Sequence, residues 1–300
     1  MSLIAFLGAL ELGLLFSFVA LGVFLSFRVL EFPDLTVDGS FPLGAAVAAT
    51  IIVSGGNPYF ATFAAALAGA GAGFVTAWLN VRLKILHLLA SILVMIALYS
   101  VNLRVMGRPN IALLGEQTIF SPLERISLPT YISTPIALLV LVIIAKLCLD
   151  RFLNSEMGLA LRATGANARM SRAQGINTDR AILMGMALSN ALVALAGALF
   201  AQSQGAADVT LGVGIIVIGL ASVIGGEALV PPKTIFFATL ACLVGSVLYR
   251  LAVALALNAE FIGLKAQDLN FITAVLVVLA MVLPGLRSPL KSVFTGDKKN

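Results

Sequence analysis

The chain has 300 residues, of which 60% are hydrophobic and only 11% are charged. A soluble domain carries about 25% charged residues, whereas residues 39–81 contain no Asp, Glu, Lys or Arg. Such a stretch aggregates in water but forms spanning helices in lipid, so the composition excludes a soluble enzyme and predicts one all-α, polytopic membrane domain over 1–300. The net charge of +5 lies in short basic runs between apolar segments, which indicates membrane lipid rather than nucleic acid as the partner.

Breaks at charges, prolines and glycine clusters divide the chain into about eight or nine transmembrane helices. The first lacks the basic start of a signal peptide and is longer than a signal-peptide core, so we interpret it as a spanning helix. The second and the seventh are short and rich in glycine. The predicted spans are 3–27, 39–54, 58–81, 85–104, 133–152, 180–203, 209–228, 233–256 and 269–286.

The orientation follows from the distribution of Lys and Arg. If the C-terminal tail is cytoplasmic, fourteen basic residues lie on the inside and five on the outside. Cytoplasmic loops carry the excess of basic residues. The sequence therefore predicts an external N-terminus, a cytoplasmic C-terminus and a large external loop over 105–132.

A sequence similarity at an offset of 174 residues indicates an internal repeat. Pro-Asp-Leu-Thr-Val at 33–37 is similar to Ala-Asp-Val-Thr-Leu at 207–211, and the same offset places spans one to four on spans six to nine. Because five helices separate the copies, the halves (about 3–105 and 180–286) would be inverted relative to each other, as in many transporters. Chance similarity between apolar helices is the alternative.

Polar residues interrupt the apolar sequence between the first two spans. Non-helical backbone survives at membrane depth only where it is buried or lines a cavity, so 34–40 is predicted to line the translocation pathway. A plain cytoplasmic loop is the alternative. An intramembrane acid usually faces the bundle interior or a water-filled path, so Glu11 has a pathway or a packing role. The predicted pathway residues are Glu11, Asp34, Thr36, Asp38, Ser40 and the repeat mates Asp208 and Thr210.

The segment 156–177 lies between the fifth and sixth spans, on the predicted inside. Drawn as one helix, it places three arginines on one face, beside a stripe of small or apolar residues. Such a helix can dock into a groove of a partner, or it can lie among lipid headgroups as an interfacial helix. The arginines are Arg162, Arg169 and Arg172, and the stripe is Leu159, Ala163, Ala166 and Ala173.

This segment resembles the cytoplasmic coupling segment of bacterial ABC importer permeases of the branched-chain amino acid and ribose type. The matching positions are Gly158, Arg162-Ala163, Asn167, Ala173 and Gly175-Ile176, followed downstream by Ala194 to Gly197, Gly212 and Gly225-Gly226. The segment 34–40 resembles the Asp-Leu-Ser-Val-Gly-Ser element of the sugar-type members, with one extra residue at Asp38. The resemblance covers about residues 10 to 285 and is closest to the shorter permeases proposed for aromatic amino acids.

The resemblance implies the membrane-spanning permease subunit of an importer in the bacterial inner membrane. An external binding protein would deliver a small organic solute such as an amino acid, a second and identical permease subunit would complete the pathway, and ABC ATPase subunits would bind below. The chain has no Gly-x-x-x-x-Gly-Lys-Ser/Thr motif, so ATP would be hydrolysed by another chain, and we expect no enzymatic activity or cofactor here. The implied ATPase-coupling residues are Gly158, Arg162, Ala163, Gly165, Asn167, Arg169, Arg172 and Gly175.

Two other classes of function remain open from the residues alone. An ion-coupled secondary transporter with inverted repeats would use Glu11 or Asp34 as its coupling acid. A membrane-embedded enzyme is disfavoured, because one histidine (His87) and scattered acids form no visible nucleophile, metal set or acid–base pair.

Arg250, near the outer end of the eighth span, is expected to reach the water with its guanidinium.

Overall fold

The computed structural model describes residues 3–124 and 130–257, together with Val275 and Val278. Seven described helices are long and apolar enough to cross a membrane, and Val37–Val53 is a shorter apolar helix. The prediction of a polytopic all-α membrane protein is therefore confirmed, and each of the first eight predicted spans overlaps a helix. The ninth, 269–286, lies outside the described residues except at its two helical valines.

The helices and two short strands follow one another along the chain. Helix α1 continues directly into a π-helical turn at Phe24–Val29, and a 3₁₀ turn at Val209–Gly212 precedes α10. The elements are α1 (Leu3–Val23), α2 (Val37–Val53), α3 (Pro58–Leu83), α4 (His87–Met106), β1 (Asn110–Ala112), α5 (Ser121–Glu124), α6 (Thr130–Leu153), α7 (Glu156–Ala166), α8 (Ala168–Ala173), α9 (Thr178–Gln204), β2 (Ala206–Asp208), α10 (Ile215–Leu229) and α11 (Ile235–Leu257).

Helix α2 lies at the centre of the bundle and packs against α3, α4 and α9. Ser40, in its first turn, donates a hydrogen bond to Asn190, which is near the middle of the 27-residue helix α9. The start of α2 is therefore deep inside the bundle. The segment 34–40 is enclosed by helices, since Asp34, Thr36 and Ser40 are all 0% exposed, and its place in the translocation pathway stays a prediction.

Glycines allow the central helices to approach each other closely. A Cβ atom at Gly44 of α2 would overlap the backbone of Ala194, and one at Gly197 of α9 would overlap the carbonyl of Phe41. Helix α3 contacts the same helix α9 through Gly73, where a Cβ atom would overlap the carbonyl of Met186. Small residues at helix contacts are the usual way in which helices associate in lipid.

Helices α1 and α9 run antiparallel across the bundle. Ser203 donates a hydrogen bond to Glu11, whereas Ser189 donates one to the carbonyl of Gly22, so the residue numbers increase in opposite directions. Helix α9 packs against α2 and α3, and α1 packs against α10 and α11. This arrangement is compatible with the predicted inverted repeat, which itself stays a prediction.

A two-stranded antiparallel ribbon lies beside the helices. Strand β1 pairs with β2, with Asn110 opposite Asp208 and Ala112 opposite Ala206. Neither strand is predictable from the sequence, because three residues are too few for a visible alternation of apolar and polar residues. The ribbon links the predicted external loop 105–132 to the segment that follows α9.

Candidate translocation and coupling sites

A buried polar network connects the segment before α2 to the middle of α9. The Asn190 amide donates to Asp34 Oδ2 at 2.7 Å and accepts from the Ser40 hydroxyl at 2.6 Å. Asp34 Oδ1 accepts the backbone N–H of Thr36 at 2.9 Å, which closes a turn before α2 begins. Because buried polar groups are costly without partners, this set of bonds fixes the start of α2 against α9.

The first turn of α2 also has polar contacts with α3 and α4. The hydroxyl groups of Thr36 and Thr76 lie 2.8 Å apart, and the Asn102 amide donates to the carbonyl of Gly39 at 3.3 Å. All three side chains are buried. Helix α2 is thus held by polar contacts with three neighbouring helices.

Asp38 joins the beginning of α2 to the beginning of α10. Its carboxylate oxygens accept the backbone N–H groups of Ile216 at 2.8 Å and Gly214 at 3.3 Å. Free N–H groups and the helix dipole make a helix N-terminus a favourable place for a carboxylate. A Cβ atom at Gly212 would overlap the carbonyl of Asp38, so the two chain segments are in direct contact.

The structure brings together only part of the predicted pathway set. Asp34, Thr36 and Ser40 form one enclosed network, and Asp38 follows it in the first turn of α2. These side chains are engaged with the protein in this conformation, so their contact with a substrate stays a prediction.

Glu11, Asp208 and Thr210 lie apart from that network. Glu11 is partly buried and accepts a hydrogen bond from Ser203 of α9. Asp208 Oδ1 accepts both the N–H of Thr210 at 2.7 Å and its hydroxyl at 2.6 Å, and Oδ2 accepts from Asn110. The hydrogen bonds from Thr210 lower the pKa of Asp208 below its ordinary value.

The segment 156–177 does not form one helix, so the predicted alignment of its three arginines on a single helical face is wrong. Asn167 has an extended backbone (φ −161°, ψ 95°), and its side-chain oxygen accepts the N–H of Met170 at 3.0 Å. Because a side-chain oxygen of this kind satisfies the free N–H groups of a new helix, Asn167 ends α7 and starts α8. Gly175 then ends the segment with a positive φ of 82°.

Two predicted coupling glycines face the protein's own backbone. A Cβ atom at Gly158 would overlap the carbonyl of Phe152, and one at Gly165 would overlap the carbonyl of Val29. Helix α7 therefore packs tightly on the end of α6 and on the π-helical turn after α1. Ala163 is half-buried between this inner face and the outer face.

The other side of α7 and α8 presents an exposed surface, which we call the coupling surface (Met157, Leu159, Arg162, Arg169 and Met170). Its three large apolar side chains are 53%, 53% and 62% exposed, and both arginines are exposed. Exposed apolar groups with charged neighbours are typical of a protein interaction site. Arg172 has a different role, because its guanidinium donates to the hydroxyl of Thr178 at 2.8 Å, at the start of α9.

Two cations make contacts that the sequence does not predict. Lys146 is 4% exposed inside α6 and bonds Asp150, which also accepts from Thr239 of α11 at 2.6 Å. Arg250 was expected to reach water, yet its guanidinium lies over the Phe16 ring, 4.0 Å from the ring centroid. Neither position is visible in sequence, because each depends on a partner helix.

A family model described as "branched-chain amino acid transport system / permease component" matches residues 5–283. A tyrosine transport system permease protein of Clostridioides difficile is 38% identical over 279 residues, which cover 93% of this chain and 91% of that protein. An uncharacterised protein of Rickettsia prowazekii is 33% identical and covers 91% of this chain and 95% of its own length. The branched-chain amino acid permease LivH of Salmonella typhimurium is 31% identical, over 46% of this chain and 42% of LivH. No solved structure matches the chain.

Proposed function

This chain belongs to the permease family of branched-chain amino acid transport systems and is the translocation component of an ATP-binding cassette importer, and from this premise we propose that its substrate is an aromatic amino acid. The observation that supports this substrate is the 38% identity to the tyrosine permease over nearly the whole of both chains. The similarity to the branched-chain permease LivH covers less than half of this chain. Aromatic amino acids are therefore preferred over branched-chain ones.

The proposed assembly contains two copies of this chain, two ATPase subunits and a binding protein. Each ATPase would dock on a coupling surface, where exposed methionines and a leucine lie beside Arg162 and Arg169. The excess of Lys and Arg on the side of α7 and α8 supports a cytoplasmic location for this surface, with the N-terminus outside and the C-terminus inside the bacterial inner membrane. The binding protein would then approach from the side of the 105–132 loop.

A short route leads from the coupling surface to the centre of the bundle. The inner face of α7 packs through Gly165 on Val29, and only four residues separate Val29 from Asp34. Asp34 and the following turn fix the start of α2 on α9, and Asp38 holds the start of α10. A movement of α7 would in this way reach the beginnings of α2 and α10 and change the pathway between the two halves.

Uptake and ATPase binding test this role together. The complete complex is placed in vesicles of known orientation. When ATP is supplied on the cytoplasmic side, it should carry tyrosine across the vesicle membrane from the external side to the cytoplasmic side. Met170→Glu and Arg169→Glu should lower uptake at least about ten-fold and abolish capture of the ATPase, because they place negative charge in the docking surface. Arg104→Glu, an exposed substitution at the other end of the bundle, serves as the control for capture of the ATPase and should leave it unchanged.

Gly165→Ala separates docking from transmission. Its added methyl group meets the Val29 carbonyl on the inner face of α7, so the ATPase should still bind while uptake falls. Normal uptake with the coupling-surface variants would refute the assigned docking role. Uptake by this chain alone, driven by an ion gradient without ATP, would instead support the secondary-transporter interpretation.

A further inference from the structure

The guanidinium of Arg250 lies against the first membrane-spanning helix. It sits over the ring of Phe16, which is the central residue of the 27-residue span Leu3–Val29. The Nε atom of Arg250 is buried and has no hydrogen-bond partner among the described residues. Ionisable groups inside membrane-spanning helices are costly and normally face a partner, an ion or a substrate path.

No described acid of the bundle is paired with this arginine. Arg250 takes part in none of the ion pairs between described residues, and six acids in or next to the membrane-spanning helices are bonded to other groups. Glu11 is bonded to Ser203, Asp34 to Asn190, Asp38 to the N–H groups of Gly214 and Ile216, Asp150 to Lys146, Asp179 to Arg172, and Glu227 to Arg28. Within 3–124 and 130–257, the guanidinium of Arg250 therefore forms no ion pair.

Three phenylalanines from three helices meet beside this cation, and we call them the phenylalanine cluster (Phe16, Phe41 and Phe200). Phe16 stacks on Phe41 with ring centroids 5.9 Å apart, and Phe200 contacts Phe41 edge-on at 5.6 Å. Phe41 belongs to the second turn of α2, close to Asp38 and the start of α10. The cluster thus joins α1, α2 and α9 beside the guanidinium of Arg250.

We propose that Arg250 receives the carboxylate of the amino-acid substrate during its passage, while the phenylalanine cluster contacts the substrate's aromatic ring. This inference rests on the proposed function. A guanidinium and a carboxylate form paired, charge-assisted hydrogen bonds, which would satisfy the buried Nε. The aromatic faces of the cluster match an aromatic side chain. The three rings contact each other in this conformation, so the substrate ring takes its place between them as the helices separate.

Tyrosine and tyramine provide a matched pair of probes, because tyramine has the same ring and amine but no carboxylate. Binding of both is measured on the purified full chain in lipid nanodiscs. Wild type should prefer tyrosine by about ten-fold or more, as expected for charge-assisted hydrogen bonds. R250Q should bind the two probes equally, and R250K should keep part of the preference. R104Q, which removes an exposed arginine, should behave as wild type.

Phe200→Leu provides the second variant. It should weaken tyrosine and tyramine binding by similar factors and leave the preference between them intact, since it changes only the ring contact. A preference for tyrosine that survives in R250Q would overturn the proposal.

Uptake by the complete complex separates this inference from the proposed function. If the wild-type complex imports no aromatic amino acid, the proposed function fails. If it imports tyrosine and R250Q has an unchanged maximal rate, only the role of Arg250 fails. The expected result is a maximal rate about ten-fold lower in R250Q, with the half-saturating concentration unchanged because the binding protein is a separate chain.

Discussion

The turn before α2 and the turn before α10 have the same sequence pattern and the same hydrogen bond from a Thr N–H to an Asp carboxylate, but different surroundings. Asp34 Oδ1 accepts the N–H of Thr36 at 2.9 Å, and Asp208 Oδ1 accepts the N–H of Thr210 at 2.7 Å. Asp34 is completely buried, whereas Asp208 is partly exposed. The second partner of Asp34 comes from a helix, and that of Asp208 is Asn110 of strand β1.

This difference shows that an Asp-x-Thr sequence specifies a turn but not its depth. In the first copy the turn is followed at once by α2 and is surrounded by α3, α4 and α9. In the second copy the Asp208 turn leads into a 3₁₀ turn, Val209–Gly212, before α10 begins. We therefore expect substitutions at corresponding positions to have unequal effects on stability.

The largest difference is expected for Asp34→Ala against Asp208→Ala. The first substitution leaves the Asn190 amide and the N–H of Thr36 without an acceptor inside the bundle, which should cost about 3 kcal/mol of unfolding free energy. The second should cost about 1 kcal/mol or less, since water replaces the lost bonds. Unfolding of the purified variants in one detergent, followed by circular dichroism, measures both.

Asp34→Asn is the control for this pair, because the amide oxygen can still accept the N–H of Thr36. Its loss of stability should lie between those of wild type and Asp34→Ala. Equal losses for the alanine variants at the two turns would show that depth does not decide their contribution, and the comparison between the copies would lose its basis.

The sequence allowed the spans to be predicted because each is marked by a long segment without charge. The same reasoning found the two turns, since Asp, Thr and Pro interrupt apolar residues only at a break. The helix break at Asn167 was not predicted. An asparagine inside a helix and an asparagine that caps a new helix look the same in sequence until the residues on both sides are placed.

The positions of buried charges also lay beyond sequence reasoning. Lys146 and Asp150 have the spacing of neighbours on one helix, but their burial depends on Thr239 of α11. Arg250 has no charged neighbour in sequence, and its contact with Phe16 joins two helices that are more than 200 residues apart. Local patterns give the type of an element, whereas tertiary contacts decide which of its polar residues are enclosed.

A smaller effect is expected where the two turns come into contact. Gly212→Ala would place a methyl group on the carbonyl of Asp38, so the beginnings of α2 and α10 would have to separate. Overpacking of this kind costs about 1–3 kcal/mol. Gly71→Ala is the matched control, because no atom lies within 4 Å of its added Cβ. Unfolding in detergent should show a loss for the first variant and none for the second; a loss of similar size for both would contradict the close contact.

The smallest expected effect concerns the pH dependence of the exposed turn. The hydrogen bonds from Thr210 lower the pKa of Asp208 in the folded protein, so the carboxylate stabilises the turn above its unfolded pKa of about 4. That contribution is lost as the pH falls through the folded pKa. Solvent screening limits this contribution to about 0.5 kcal/mol.

The difference in unfolding free energy between wild type and Asp208→Asn should therefore be largest near pH 6 and should disappear as the pH falls below about 4. Thr210→Val, which removes the hydroxyl donor, should reduce this dependence, whereas Glu116→Gln, a change of another exposed acid, should leave it unchanged. A difference that grows on acidification would mean that the neutral form of Asp208 is the one stabilised by the fold.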